Sequence, residues 1–169
     1  PQKIIKSVKE DVVLGNYTGC IQLDVTDFYP SIMHSEMRSR LGRKIRSPEI
    51  KDVIFSAIKS PTVSISRDTD EPSVRGVPQG LAISNILASI YLLNIDKRLD
   101  INPDVKYYRY VDDVLIFCDF KDAITIANDV RKQFSKIGLK VYDPVKRPDK
   151  STVERLGTNF DYLGYQFSG

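Results

Sequence analysis

The chain has 169 residues, 41% of them apolar, enough for one hydrophobic core of ordinary size and too apolar for a disordered chain. Lys and Arg number 25 against 22 Asp and Glu, and the net charge of +3 permits a nucleic-acid partner without demanding one. Two cysteines, Cys20 and Cys118, and the single His34 exclude a disulfide framework and a zinc site, and no apolar run reaches the length of a membrane span. A reducing, cytoplasmic setting is expected. A start at Pro1 and a stop at Gly169, just after a strand-like stretch, suggest a single domain, residues 1–169, cut from a longer protein.

After a polar opening, "YTGCIQLDV" (Tyr17–Val25) reads as a buried strand behind Gly19. "DFYPSIMHSEMRSRLG" turns into a helix, with Pro30 suited to its first turn and Gly42 to its stop. A second helix starts at Ser47 and Pro48, where Val53, Ile54, Ala57 and Ile58 recur at helical spacing. "SPTVSISRDTDEPSVRG" is a polar loop of weak strand character. "SNILASIYLLNIDKRL" is the plainest helix: Ile86, Leu87, Ile90 and Leu93 share a face, and Ser84 can cap the start. "YYRYVDDVLIF" makes two short strands around Val111 to Asp113. "AITIANDVRKQFSKIGLKVYD" gives a helix ended by Gly138 and then a strand, and "FDYLGYQF" alternates like one more strand. The order implies an α+β fold with an antiparallel sheet backed by helices, in the split βαβ, ferredoxin-like arrangement.

That arrangement makes the strands carrying Asp24 and the Asp112–Asp113 pair neighbours, so three carboxylates meet at one end of the sheet. An isolated "DD" between strands is usually structural, because Asp bonds its own backbone in turns. Three carboxylates together repel unless a cation neutralises them. Mg²⁺, bound through carboxylates and substrate phosphates, relieves that repulsion, and a pair of ions suits phosphoryl or nucleotidyl transfer. "RGVPQG" supplies a third element, a turn whose Gly80 lets backbone approach a phosphate or base pair before the long helix begins.

Together these segments resemble a reverse transcriptase palm: "LDVTDFY" its motif A, "GVPQG" with the following "S..LA" motif B, "YVDD" motif C, "GLKV" with a later lysine motif D, and "FDYLGYQF" the motif E primer grip. All five stand in family order from about Tyr17 to Phe167. The "PQGLAISNILA" form is nearest to bacterial members: retron, group II intron, and abortive-infection or antiviral-defence enzymes. The resemblance implies that Asp24, Asp112 and Asp113, with the Val25 carbonyl, hold two Mg²⁺ or Mn²⁺ ions. It places Asp27 and Phe28 at the triphosphate, Tyr29 on the steric gate against a ribose 2′-hydroxyl, and Gln79 at the dNTP. It places Tyr110, Val111, Leu163 and Gly164 at the primer, and Lys146 at the pyrophosphate, with Lys140, Arg147 and Lys150 as neighbours. An RNA template and a DNA or RNA primer are the implied partners, with no membrane.

Only 23 residues precede Asp24, and neither a fingers region nor a thumb is recognisable, so weak polymerisation by the chain alone is expected. A family B-type DNA polymerase shares "DVTDFYPSI" but calls for Asp-Thr-Asp in place of "YVDD". An RNA-dependent RNA polymerase calls for Gly-Asp-Asp and a gate other than Tyr29. Template-independent or self-primed synthesis, and a non-catalytic RNA-binding palm, stay open. The basic stretch Arg38 to Arg46 suits nucleic-acid phosphates or a solvated helix end equally. Cys20 and Cys118 read as small core residues, close to one another in the sheet.

Overall fold

The computed structural model describes residues 2–59, 74–80, 82–157 and 159–168, so most of the polar loop expected from Ser60 lies outside the described residues. In chain order the elements are α1 (Gln2–Leu14), β1 (Gly19–Leu23), β2 (Val25–Thr26), α2 (Phe28–Ser31), α3 (His34–Gly42), α4 (Pro48–Lys59) and α5 (Ser84–Asp100). Then follow β3 (Val105–Tyr110), β4 (Asp113–Cys118), α6 (Phe120–Lys136), β5 (Lys140–Val141), β6 (Thr152–Arg155), β7 (Phe160–Tyr162) and β8 (Tyr165–Phe167).

Four strands form one antiparallel sheet in the order β3-β4-β1-β6. With helices between β1 and β3 and α6 between β4 and β6, this is the expected ferredoxin-like split βαβ arrangement. The fourth strand is a different segment from the one expected. "GLKV" makes the two-residue β5, which pairs with β2 beside the main sheet, while the edge position is taken by β6, "TVER".

Strand alternation sorts side chains onto two apolar layers. On β4, Val114, Ile116 and Cys118 join a large cluster with α3, α4, α5 and α6, while Leu115 and Phe117 join a second one with α1, β7 and β8. Cys20 and Cys118 are both buried, as expected of core residues, but sit on opposite faces of adjacent strands.

The helix α1 replaces the expected polar opening. Its Ile4, Ile5, Val8 and Val12 recur at helical spacing and pack on the second cluster, and Asp11 accepts a hydrogen bond from the Tyr108 hydroxyl on β3. Helix α4 starts at Pro48, as expected, and Ser47 caps it, its Oγ accepting from the Ile50 N–H at 3.3 Å. Ile54, Phe55 and Ile58 are buried there, whereas Val53 faces out.

Three local expectations are corrected. The segment from Asp27 to Gly42 is two helices and not one, because Ile32 and Met33 are extended, although the second, α3, does stop at Gly42 as expected. Ser84 does not cap α5; its hydroxyl donates to the Pro78 carbonyl at 2.6 Å and ties the "PQG" turn to the helix. The buried face of α5 carries Leu87, Ala88, Tyr91, Leu92, Ile95 and Leu99, while Ile86 is 59% exposed. Of the expected face, Leu87 is buried and Ile90 and Leu93 are half-buried, so the buried stripe is rotated from it toward Ala88, Tyr91 and Ile95.

Candidate active site

Strand β1 stops at Leu23, paired with Val114, so Asp24 stands one residue beyond the ladder, opposite Asp113 at the start of β4. Asp24 is the point where the chain leaves one pairing for another. Its N–H donates to the buried Ser151 hydroxyl at 3.1 Å, and its carbonyl accepts from the Tyr142 N–H at 3.1 Å. The latter bond makes Val25 and Val141 a non-hydrogen-bonded pair, which directs the Val25 carbonyl away from β5.

The pairing of Tyr110 with Asp113 leaves Val111 and Asp112 as a two-residue hairpin turn. The aspartates thus adjoin a tight turn, and that turn carries them to the Asp24 end of the sheet. Burial pushes the Asp113 carboxyl above its ordinary value, and Asp112 and Asp24 push it further the same way. Asp24 is likewise raised, by burial and by Asp112, against the opposing pull of Lys150. Lys150 Nζ lies 3.8 Å from the Asp24 carboxylate.

Asp24, Asp113 and Lys150 line a cavity of about 190 Å³ whose wall is completed by Tyr162 and Leu163. "FDYLGYQF" is a hairpin and not the single strand expected, with Leu163 (φ 51°) and Gly164 (φ 79°) forming its two-residue turn. It is held to the sheet end by the Tyr162 hydroxyl donating to the Asp113 carbonyl at 3.3 Å and by Gln22 Nε2 donating to the Asp161 carbonyl at 2.6 Å. Thus Leu163 reaches the carboxylates from a segment some fifty residues downstream of β4.

Tyr29 follows the buried Phe28 on α2, and its hydroxyl donates to Asn85 Oδ1 at the start of α5. Burial raises the Tyr29 hydroxyl above its usual range, helped by Asp112 and Tyr110, which places all three in one neighbourhood. The "PQG" approach is docked on α2 through Val77 N–H to the Tyr29 carbonyl, 2.9 Å, and Gly76 N–H to the Ile32 carbonyl, 2.8 Å. Gln79 and Gly80 (φ 88°) remain exposed beyond it. Asp27 (φ 43°) turns the chain into α2, so its own amide and that of Phe28 open that short helix.

Lys146 is not at the cavity: its exposed side chain belongs to the turn closed by Asp143, and Lys150 is the lysine beside Asp24. The basic stretch divides. Arg40 is buried, donating to Glu36 at 2.7 Å and to the Tyr91 carbonyl, while Arg38 lies over the Phe55 ring, 4.2 Å from its centroid. Sequence reasoning gave no role to Ser151 or to Asn85, which stands at an unspecified position of the quoted motif B, and named Lys150 only as a neighbour of Lys146.

The carboxylates fit Mg²⁺ in kind: Asp24 and Asp113 present hard oxygen donors to a small polar cavity, their proton affinity raised by burial and by the neighbouring charge of Asp112, which stands on the adjoining turn. Among the described residues, no group of three His, Cys, Asp or Glu side chains is yet gathered tightly enough to hold an ion. Mg²⁺ commonly completes its shell with water and substrate phosphate, so one or two of these carboxylates suffice.

The family model described as "Reverse transcriptase (RNA-dependent DNA polymerase)" matches residues 2–167, and the chain belongs to that family. Among solved structures, apo telomerase from Candida Tropicalis is similar over 99% of this chain and 33% of its own, with a TM-score of 0.72 and 14% identity. The same telomerase truncated from its C-terminal domain is similar over 99% of this chain and 37% of its own, with a TM-score of 0.70 and 16% identity. These likenesses show the fold, and the chain spans about a third of the length of those structures. A search of curated proteins matched none. Among the described residues, no helix is long and apolar enough to cross a membrane.

Proposed function

We propose that the chain is the palm of an RNA-directed DNA polymerase and adds deoxynucleotides to a primer 3′ end against an RNA template. The observation that carries this reading is the placement of Asp24 opposite Asp113, with Asp112 on the adjoining two-residue turn. Two Mg²⁺ ions, or Mn²⁺ in their place, would be held by Asp24, Asp112, Asp113 and the Val25 carbonyl and supply activation of the primer hydroxyl and charge neutralisation on the triphosphate.

The chain's own groups do the positioning. Tyr29, fixed through Asn85, presents its ring where a ribose 2′-hydroxyl would collide. Gln79 and Gly80 border the nucleotide, and the amides of Asp27 and Phe28 face its phosphates. Tyr110 and Val111 meet the primer end from β3, and Leu163 and Gly164 meet it from the β7–β8 turn. Lys150, rather than Lys146, serves the leaving pyrophosphate, since it already neighbours Asp24. Fingers and thumb regions of a longer polypeptide would supply the remaining grip on template and primer, and the "PQGLAISNILA" form supports a bacterial branch, including defence roles.

Titrating Mn²⁺ by calorimetry, into wild type and Asp112→Asn, tests the site; binding that is abolished or much weakened in the variant is expected. Equal binding by the two proteins, or none by either, would instead favour a palm-like scaffold. Sequencing products made in the full-length protein with and without a defined RNA separates templated from untemplated synthesis.

A further inference from the structure

The turn that carries Asp112 is held in an unfavourable conformation. Val111 has φ 57°, a left-handed value that a β-branched residue rarely adopts and that a two-residue hairpin normally assigns to glycine, asparagine or aspartate. Something outside the turn must stabilise it, and the structure contains such a group. Arg109 Nη1 donates to the Val111 carbonyl at 2.7 Å. The rest of that guanidinium is spent on Asp96 of α5, Nε to Oδ1 at 2.8 Å and Nη2 to Oδ2 at 2.5 Å. Asp96 is itself fixed by the Tyr107 hydroxyl, 2.8 Å from Oδ1. Arg109 is 10% exposed and Asp96 18%, so the bidentate pair works largely out of water, where geometry is enforced.

We propose that Arg109, anchored by Asp96, is a positioning residue that clamps the Val111 carbonyl and so fixes where Asp112 and Asp113 stand. The inference rests on the proposed role of those aspartates in holding metal. Arginine is needed because one planar fork reaches the carboxylate and the carbonyl together, and an ammonium group cannot match that geometry. The anchor also makes α5 a common support. Asn85 near its start holds the Tyr29 hydroxyl, and Asp96, three turns on, holds the metal-side turn.

An ordinary buried ion pair joining β3 to α5 is the alternative, and stability alone does not separate the two. Three variants do. Arg109→Lys keeps the charge but loses the fork; Arg109→Met with Asp96→Leu removes both charges while keeping the site apolar and filled, a change that often leaves stability intact. Val111→Gly removes the strain at the turn. The expected result is that Arg109→Lys and the Met/Leu pair each weaken Mn²⁺ binding by about 10- to 100-fold, the cost usual for groups that orient metal ligands. The Met/Leu pair does so with a melting temperature close to wild type, and adding Val111→Gly to Arg109→Lys recovers part of the affinity. The carbonyl ¹³C resonance of Val111, which senses the hydrogen bond it accepts, shifts in Arg109→Lys whether or not metal is present. Mn²⁺ affinity that follows melting temperature across the set, with no recovery by Val111→Gly and an unmoved Val111 resonance, would overturn the clamp. If wild type binds no Mn²⁺, the proposed metal role fails on its own, and the Val111 resonance still decides whether Arg109 holds the turn.

Discussion

Replacing Lys150 by Met separates a lysine that stabilises the fold from one that serves the reaction. The ammonium lies 3.8 Å from the Asp24 carboxylate, with the two side chains 44% and 37% exposed. At that exposure solvent screens the pair, and its contribution to stability is about 0.2–1 kcal/mol. In a domain of this size 1 kcal/mol moves Tm by about 2–4 °C, so Lys150→Met should cost no more than about 4 °C. If the same ammonium protonates or neutralises the departing pyrophosphate, its loss should slow single-turnover primer extension by about 100-fold or more. Metal binding gives an internal control with a definite sign. Lys150 holds the Asp24 carboxyl down against burial, so without it that carboxyl binds its proton more tightly. Mn²⁺ affinity in Lys150→Met should therefore fall more steeply than in wild type as pH drops toward the carboxylate range, while at pH 8, where both are ionised, it should not be reduced. Lys146→Met is the matched comparison. Extension impaired as much by Lys146→Met as by Lys150→Met, or a loss that merely equals the loss of metal affinity, would refute the assignment.

Three further outcomes follow from contacts at and behind the site. Asn85→Ala frees the Tyr29 hydroxyl, a bond of about 1 kcal/mol, and should lower the dNTP-to-rNTP ratio of kcat/KM by about fivefold; Tyr29→Val should lower it more, and an unchanged ratio in both would dispose of the gate. Asp113→Asn should raise the melting temperature of the metal-free protein at pH 7. The ionised Asp113 is disfavoured in the folded state, so folding is strongest below the ordinary carboxylate value and weakens as pH rises through the elevated one; the gain should vanish toward pH 4, and a pH-independent gain would contradict the cause given. Phe160 is buried with its ring centroid 5.9 Å from that of Phe117 and 5.2 Å from that of Phe167, so Phe160→Ala should cost about 3–5 kcal/mol and lower Tm by about 6–20 °C. Hydrogen exchange should rise most in β7 and β8, and a Tm within about 3 °C of wild type would mean that the hairpin is not held by this packing.

Much of the sheet was legible because its central strands are buried on one or both faces and must advertise that burial. "CIQL" is apolar but for Gln22, "VLIFC" is apolar throughout, and the turn between β3 and β4 is marked by the Asp112–Asp113 pair that overlaps its end. The edge strand β6 was not legible, since "TVER" lies half to fully exposed and needs no apolar pattern. "GLKV", with a buried Leu139 and Val141, imitated the missing strand, yet its apolar side chains serve the cluster behind β2. In α1 the signal was present, in Ile4, Ile5, Val8 and Val12, but five Lys, Glu and Asp residues interleave with it, and the aromatic surface it covers comes from the other end of the chain. The contacts joining Tyr29 to Asn85 and Arg109 to Asp96 span 56 and 13 residues and leave no periodic trace.

The backbone supplies the step that motifs alone do not. Among the described residues, three without glycine's freedom adopt positive φ: Asp27, Val111 and Leu163. Each adjoins a different candidate segment, namely the entry to α2 after Asp24, the turn before Asp113, and the hairpin tip that lines the same cavity. Such conformations cost about 1–3 kcal/mol apiece and persist only where surrounding structure enforces them. Their enforcement is visible here: Arg109 on the Val111 carbonyl, the Tyr162 hydroxyl on the Asp113 carbonyl beside Leu163, and the Ser31 N–H on the Asp27 carbonyl at 2.9 Å. At Val111 and Leu163 a fold seeking only stability would place glycine, asparagine or aspartate. The strained turns at Val111 and Leu163, gathered at one end of the sheet, are a physical sign that surrounding structure holds the backbone there in a set geometry, and the aspartates of "YVDD" adjoin one of those turns at the candidate metal site.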